Sequence, residues 1–420
     1  MTGLRTEAVA SRHPERAAVY GRRGEARIAS WTRRAEGETP NVPSARRARE
    51  ICRPGVRNRC RGVVLVTLLV SACGGGYDAP ASPLPIPAPP ADPAPLRDAA
   101  AVAGKWVGAA VFSSALAGEP VYAATFAKHF DYVTAEWEMK WKSVQRQPGV
   151  YDFSGGDRIV GFAEAHAMRV KGHALVWHGS TPSWVEELSP PELRIAFEDH
   201  IRTVAGHYRG RVAVWDVVNE AIDDQTGGLR DTVFLRGLGP GYIAEAFRLA
   251  READPDALLV YNDYGGEGLS RKSDAVYELV RGLKESGVPI GGVGLQMHIS
   301  ASGYPPVGDI AANLARLADL GLLVNISEMD VRIRGLGGDT ASRLQRQREV
   351  YREVVGVCVA HPRCHAVTFW GFTDAHSWID GFFGADDPLL FDEQYRAKPA
   401  FFGVEDAYLG RSAHVQFGGR

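Results

Sequence analysis

Eight short apolar segments, each followed by a stretch of helical periodicity, recur between residues 106 and 372. They are WVGAAVF (106–112), YVTAEW (132–137), RVKGHALVW (169–177), VAVWDVVNE (212–220), ALLVYND (257–263), GVGLQMH (292–298), LVNISEMD (323–330) and AVTFWGF (366–372). Apolar runs of this length suit strands buried on both faces, and their alternation with helices is the pattern of a parallel sheet. The stretch 190–210 opens behind Ser189, a fitting N-cap, with proline in its first turn, and the stretch 270–287 closes on Gly287. Eight strand–helix units in about 310 residues predict an α/β fold, an eight-stranded parallel β/α (TIM) barrel forming one catalytic domain. A doubly wound open sheet is the alternative, but no glycine-rich phosphate-binding turn follows the first strand.

One end of such a barrel would be chemically loaded. Glu136, His173 with Trp177 and His178, Asn219 with Glu220, Asn262 with Asp263 and Tyr264, Gln296 with His298, Glu328 with Asp330, and Trp370 all lie at or near the carboxyl ends of strands. Those ends converge on one face of a barrel, where barrel enzymes place their chemistry. Glu220 and Glu328 each terminate an apolar strand, and burying a lone carboxylate costs several kcal/mol, so each is either paired or used. Two carboxylates across a barrel mouth can cleave a glycosidic bond, one attacking and one protonating the leaving oxygen. Taken alone, each also fits a structural ion pair. The neighbours favour chemistry: Asn219 suits a sugar hydroxyl, and His298 and Asp330, on adjacent strand ends, can pair and fix an imidazole tautomer near Glu328. A metal held by His173, His298 and Asp330 lacks any ligand-spaced histidine pair or HExxH motif, and serine catalysis lacks a GxSxG elbow. No metal or cofactor is expected. Trp177, Trp184, Trp370 and Trp378, with Lys140 and Tyr264, would give a cleft the flat apolar surfaces and polar edges that sugar rings need.

From about residue 104 to 409 the chain resembles glycoside hydrolase family 10, the barrel-type endo-β-1,4-xylanases. The resemblance is carried, in order, by GHALVWHGSTPSW (172–184), WDVVNEAI (215–222), GLQMHI (294–299), ISEMDV (326–331), VTFWGFTDAHSW (367–378) and PLLFDEQYRAKPAF (388–401). It implies cleavage of β-1,4-xylosidic bonds with retention, by double displacement through a glycosyl-enzyme intermediate. Glu220 would be the acid/base and Glu328 the nucleophile, the first protonated near neutrality and the second ionised. Asn219 would contact the sugar 2-hydroxyl, Gln296 would hold the acid/base, and His298, backed by Asp330, would hold the nucleophile. His173, Trp177, Trp370 and Trp378 would line the cleavage subsite, with Glu136 and Lys140 further out on the glycone side.

Three departures from the family pattern stand out. Trp137 occupies the place of an asparagine after Glu136, Ser180 stands where a glutamine is usual, and Gly265 replaces a common asparagine on the aglycone side. The first two remove amides that would hold the sugar one unit beyond the cleavage subsite. The glycone side is therefore either blocked or reshaped by Trp137, or Trp137 turns away and loops compensate. Exo-action or cleavage of small or decorated β-glycosides is the alternative activity. A non-catalytic surface glycan-binding lipoprotein is a third reading, disfavoured by the intact carboxylates.

The N-terminal region reads as targeting sequence. VRNRCRG (56–62), VVLVTLLV (63–70) and VSAC (70–73) form a positive, an apolar and a small-residue segment, a signal too short to span a bilayer. Its end resembles a lipobox, which makes Cys73 the lipidated first residue of the mature chain. Residues 1–55 then read as a basic extension, either ahead of the true start and not translated or a disordered arm, 56–72 as the signal, 73–98 as a Pro/Ala-rich tether, 99–410 as the hydrolase domain and 411–420 as a tail. Fifteen arginines and six glutamates precede Cys73, so the net charge of −2 leaves about eleven excess negative charges on the remainder, which argues against a nucleic-acid partner. Cys358 and Cys364, close together in an exported chain, are expected to form a disulfide, as the family often has. A monomer is expected, located in the cell envelope, contacting the membrane through its lipid alone and taking a xylan-type polysaccharide or oligosaccharide as substrate.

Overall fold

The computed structural model describes residues 92–411; the expected signal, Cys73, most of the tether and most of the tail lie outside the described residues. Eight parallel strands close the expected barrel: β1 (Trp106–Val111), β2 (Tyr132–Ala135), β3 (Arg169–Trp177), β4 (Val214–Asn219), β5 (Leu258–Asp263), β6 (Gly292–Leu295), β8 (Leu323–Arg332) and β9 (Cys364–Phe369). Each pairs with the next, β6 with β8, and β9 returns to β1. A ninth, short strand, β7 (His298–Ser300), runs along the far half of β8 with His298 opposite Asp330.

Two findings refine the expected bounds. The sixth segment, expected as one strand over 292–298, breaks after Leu295, because Met297 takes a left-handed backbone with φ of 66°. The break re-aims His298 onto β8. The tether ends before residue 98: a helix, Leu96–Val102, starts earlier, with Leu96 and Ala100 fully buried in the core.

Strand alternation sorts the side chains into two layers. Outward residues such as Val107, Val133, Val170, Leu259 and Val324 join the large core beneath the helices. Tyr132, Val214, Val260 and Ala366, with Trp106, Ala213 and Leu258, form a separate apolar plug inside the barrel. Two residues further along the same strands, Thr134, Asp216, Asn262 and Thr368 are buried polar groups. The polar floor under the barrel mouth is thus written into every second position.

The helices are secured locally. Pro190–His207 carries a capping box in which Glu192 accepts from the Ser189 backbone N–H at 3.0 Å. In Arg271–Glu285 the Ser270 hydroxyl accepts from the Ser273 N–H. Cys358, near the end of the helix Thr340–Ala360, is disulfide-bonded to Cys364 at the start of β9, tying the last helix–strand turn.

Candidate active site

Glu328 lies near the centre of β8, buried, with an imidazole on either side. His298 Nε2 donates to its Oε2 at 3.2 Å, while His298 Nδ1 donates to Asp330 Oδ2 at 2.7 Å. Asp330 also accepts from Trp378 Nε1 at 2.8 Å. On the other side His173 Nδ1 lies 3.8 Å from Glu328 Oε1 and donates to Asp216 Oδ2 at 2.8 Å. Burial alone would push the Glu328 carboxyl up. The charge of His173, the hydrogen bond and charge of His298 and the charge of Lys171 outweigh it and hold Glu328 down at about 2. For His298 burial opposes protonation, but the Asp330 carboxylate dominates and lifts the imidazole to about 10. The arrangement keeps one carboxylate ionised and oriented in a place that would otherwise protonate it.

Glu220 follows β4 with φ of 59°, a left-handed conformation that a non-glycine residue holds only when its surroundings fix it. Its carboxylate accepts from Trp177 Nε1 at 2.8 Å, Gln296 Nε2 at 3.0 Å and Asn219 Nδ2 at 3.1 Å. Gly179 is what lets Trp177 lie there, since a Cβ at 179 would come within 2.5 Å of the indole. Asn262, fully buried on β5, connects the two carboxylates. Its Nδ2 donates to Asn219 Oδ1 at 2.9 Å and to Glu328 Oε1 at 2.6 Å, and its Oδ1 accepts from Ser327 Oγ at 2.6 Å. Gly294 makes room for it, because a Cβ there would sit 2.0 Å from Asn262 Oδ1.

Beyond β2 the chain turns so that the Lys140 ammonium faces three indoles, 4.2 Å from the Trp137 ring centre, 4.6 Å from Trp177 and 5.5 Å from Trp370. Trp370 also meets His173 edge-on at 5.0 Å, and Trp378 lies 5.0 Å from His298. Burial, reinforced by Glu138 and Glu328 against the pull of Lys140, raises Glu136 to about 8; burial lowers Lys140. Trp137 thus shares the Lys140 ammonium with Trp177 and Trp370.

The sequence pattern of residues 95–407 matches the model of glycosyl hydrolase family 10. The chain belongs to that family. It is 43% identical over 290 residues to endo-1,4-beta-xylanase B of Thermotoga neapolitana, covering 68% of this chain and 82% of that one. Among solved structures, native xylanase 10B of Thermotoga maritima superposes with a TM-score of 0.72 at 41% identity, covering 75% of this chain and 98% of its own. Xylanase 10B of Thermotoga petrophila RKU-1 in complex with xylobiose gives 0.72 at 40%, covering 76% and 98%.

Within this family 10 barrel, the structure gathers Glu220, Glu328, Asn219, Gln296, His298, Asp330, His173, Trp177, Trp370 and Trp378 into one hydrogen-bonded and aromatic cluster. Ser180 is buried in the short turn His178–Ser180 that follows Trp177. Tyr264 sits apart in a charged group after β5, where its hydroxyl donates to Asp224 and accepts from Arg230 Nη2 at 3.2 Å. Lys272 lies over its ring at 3.6 Å and pairs with Asp263 at 3.0 Å. Glu138 and Trp184 are structural. Glu138 accepts from the Ser113 and Trp137 backbone N–H groups, and Trp184 Nε1 donates to the Gln145 carbonyl.

Sequence reasoning missed Asp216 and Lys171 and gave Asn262 no role. The available signal was alternation: Lys171 shares a strand face with His173, and Asp216 sits mid-strand in an otherwise apolar run. His173, Asp216 and Glu328 bring donor atoms within 4.8 Å of one another, as a metal site would. The Lys171 ammonium, 2.7 Å from Asp216, already supplies the positive charge there, so the set does not suit a cation.

Proposed function

We propose that this chain is a retaining endo-β-1,4-xylanase in which Glu328 is the nucleophile and Glu220 the acid/base. The observation that carries the reading is the asymmetry between the two carboxylates. Glu328 is held ionised by imidazoles on both sides, whereas Glu220 is positioned by the neutral donors Trp177, Asn219 and Gln296. In the first step a Glu328 oxygen bonds to the anomeric carbon as the bond to the leaving oxygen breaks, and Glu220 hands that oxygen its proton. In the second, water attacks the same carbon, Glu220 takes the water's proton and the Glu328 ester is released. Asn219, whose amide lies beside Glu220, would contact the 2-hydroxyl. The xylanase relatives support xylan as the polymer. Hydrolysis of an aryl β-xylobioside tests the assignment: wild type should turn over, Glu328→Gln should lose at least ~10³-fold, and undiminished turnover by that variant would overturn it.

The glycone side supports a second, finer reading: its outer subsite is remodelled by Trp137. The Trp137 ring stands beside Lys140 on the cleft wall, where it can stack on or obstruct a sugar but cannot supply the amide hydrogen bonds of an asparagine. Products from reducing-end-labelled xylo-oligosaccharides separate the cases. A pattern dominated by xylobiose and xylotriose would contradict remodelling. We also propose export and lipid anchoring through Cys73, supported by the sequence of residues 56–73; Cys73→Ser should release the protein from the membrane fraction of its native host.

A further inference from the structure

We propose that Lys171 is a positioning residue for the nucleophile, acting through Asp216 and His173 from inside the barrel. The inference rests on Glu328 being the nucleophile. Two imidazole–carboxylate pairs flank Glu328, and they are backed differently. Asp330 accepts from His298 and from the uncharged indole N–H of Trp378. Asp216 meets His173 at 2.8 Å and the Lys171 ammonium at 2.7 Å, both through Oδ2. Lys171 and Asp216 are both fully buried, so this ion pair is scarcely screened by solvent.

The geometry follows from register. Lys171 and His173 point the same way from β3, and His173 stands directly opposite Asp216 on β4. Below them lies the apolar plug of Tyr132, Val214, Val260 and Ala366; above them lies Glu328. Lys171 thus draws Asp216 by charge, Asp216 holds His173 by a hydrogen bond, and His173 faces the attacking carboxylate. An additional lysine charge beneath the nucleophile also favours its ionised form. The charged and titratable groups facing this column are Tyr132 on β2 toward Asp216, and His365 on β9 toward Lys171; Lys105, ahead of β1, acts on His365. Toward Glu328 they are His298 on β7, and Glu136 and Lys140 after β2. Of all of these, the proposed reaction requires Glu328 alone as the ionised attacking group.

The test is the pH dependence of kcat/KM on an aryl β-xylobioside for Lys171→Met, Lys171→Arg, Asp216→Asn and the double variant Lys171→Met/Asp216→Asn, beside wild type and Glu328→Gln. Losing a nearby opposite charge moves a carboxylate by one unit or more. Lys171→Met should therefore shift the acid limb up by about one pH unit and lower kcat/KM by ~10-fold or more, with KM little changed. Lys171→Arg, which keeps the charge, should return most of the rate. The double variant, which removes both charges yet leaves an amide beside His173, should move the acid limb back toward wild type. If Lys171→Met does not fold, the Arg and double variants still decide: a double variant as impaired as Asp216→Asn alone, with Lys171→Arg indistinguishable from it, overturns the proposal. So does a folded Lys171→Met with an unmoved acid limb and kcat/KM within twofold of wild type. A Glu328→Gln variant with undiminished turnover would instead remove the parent assignment, so the two failures are distinguishable.

Discussion

Replacing Asn262 by leucine should disable the site while leaving the barrel standing. The two side chains share the same branched, four-heavy-atom shape, although leucine is the bulkier, and Asn262 is fully buried between β4 and β8, so the barrel backbone is expected to hold with modest local adjustment. Three hydrogen bonds disappear. The bond to Glu328 Oε1, at 2.6 Å, is charge-assisted and worth about 1.5–3 kcal/mol; those to Asn219 and Ser327 are neutral and worth about 1 kcal/mol each. Asn219 Oδ1 still receives Gln296 Nε2 at 3.2 Å, so its loss is partial. Glu328 keeps His298 and nearby His173, but the torsion that aims its Oε1 is released. Removing a donor to the ionised form also raises the Glu328 pKa from about 2 by about one to two units, which leaves it ionised at pH 6. The loss at that pH is therefore one of orientation. With about 2–3 kcal/mol expressed in the transition state, kcat/KM should fall by ~30- to 150-fold. The assay is initial-rate hydrolysis of an aryl β-xylobioside at pH 6, with thermal unfolding followed alongside. A variant that melts close to wild type and keeps kcat/KM within twofold would refute the view that Asn262 couples the two carboxylates.

Other expectations follow from single contacts. Trp137→Asn, which restores an amide beside Glu136, should raise kcat/KM on longer xylo-oligosaccharides by ~10-fold if the glycone side is remodelled, read from labelled-product ratios. Gly179→Ala should push Trp177 off Glu220 and lower kcat on substrates with poor leaving groups more than on activated ones, since protonation matters most for the former. Asp330→Asn removes the main cause of the raised His298 pKa. The stability difference from wild type should be fullest below pH ~6.5 and shrink as pH climbs through about 10, as urea titrations would show. Reducing the Cys358–Cys364 bond, which closes a loop of seven residues, should cost about 2 kcal/mol of unfolding free energy by loop entropy, measured as a lower melting temperature.

The barrel was legible because its signals are local. Apolar segments, helix caps and the carboxyl-end clustering of Glu220, His298 and Glu328 can each be read within a dozen residues. What stayed hidden depends on register and on unusual backbone. Lys171 reads as one charge in a strand until His173 is found opposite Asp216, and Asn262 reads as a strand end until β5 is seen between Asn219 and Glu328. The break in the sixth segment falls at Met297, a residue type that gives no hint of a positive φ. Glu138, next to Glu136, holds the backbone of Ser113 and Trp137, a role that only the turn after β2 reveals. The stretch AEWEMKW (135–141) thus mixes site and scaffold: Trp137 and Lys140 meet beside Trp177, while Glu138 between them holds backbone.

The account turns on which carboxylate forms the bond to the sugar. A 2-deoxy-2-fluoro-xylobioside with a good leaving group slows release of the glycosyl-enzyme, so that the adduct can be weighed and mapped. The mass should rise by one fluoro-xylobiosyl unit, and the modified peptide should contain Glu328. An adduct on Glu220 or another residue, or turnover with no adduct and an inverted first product, would contradict the assignment.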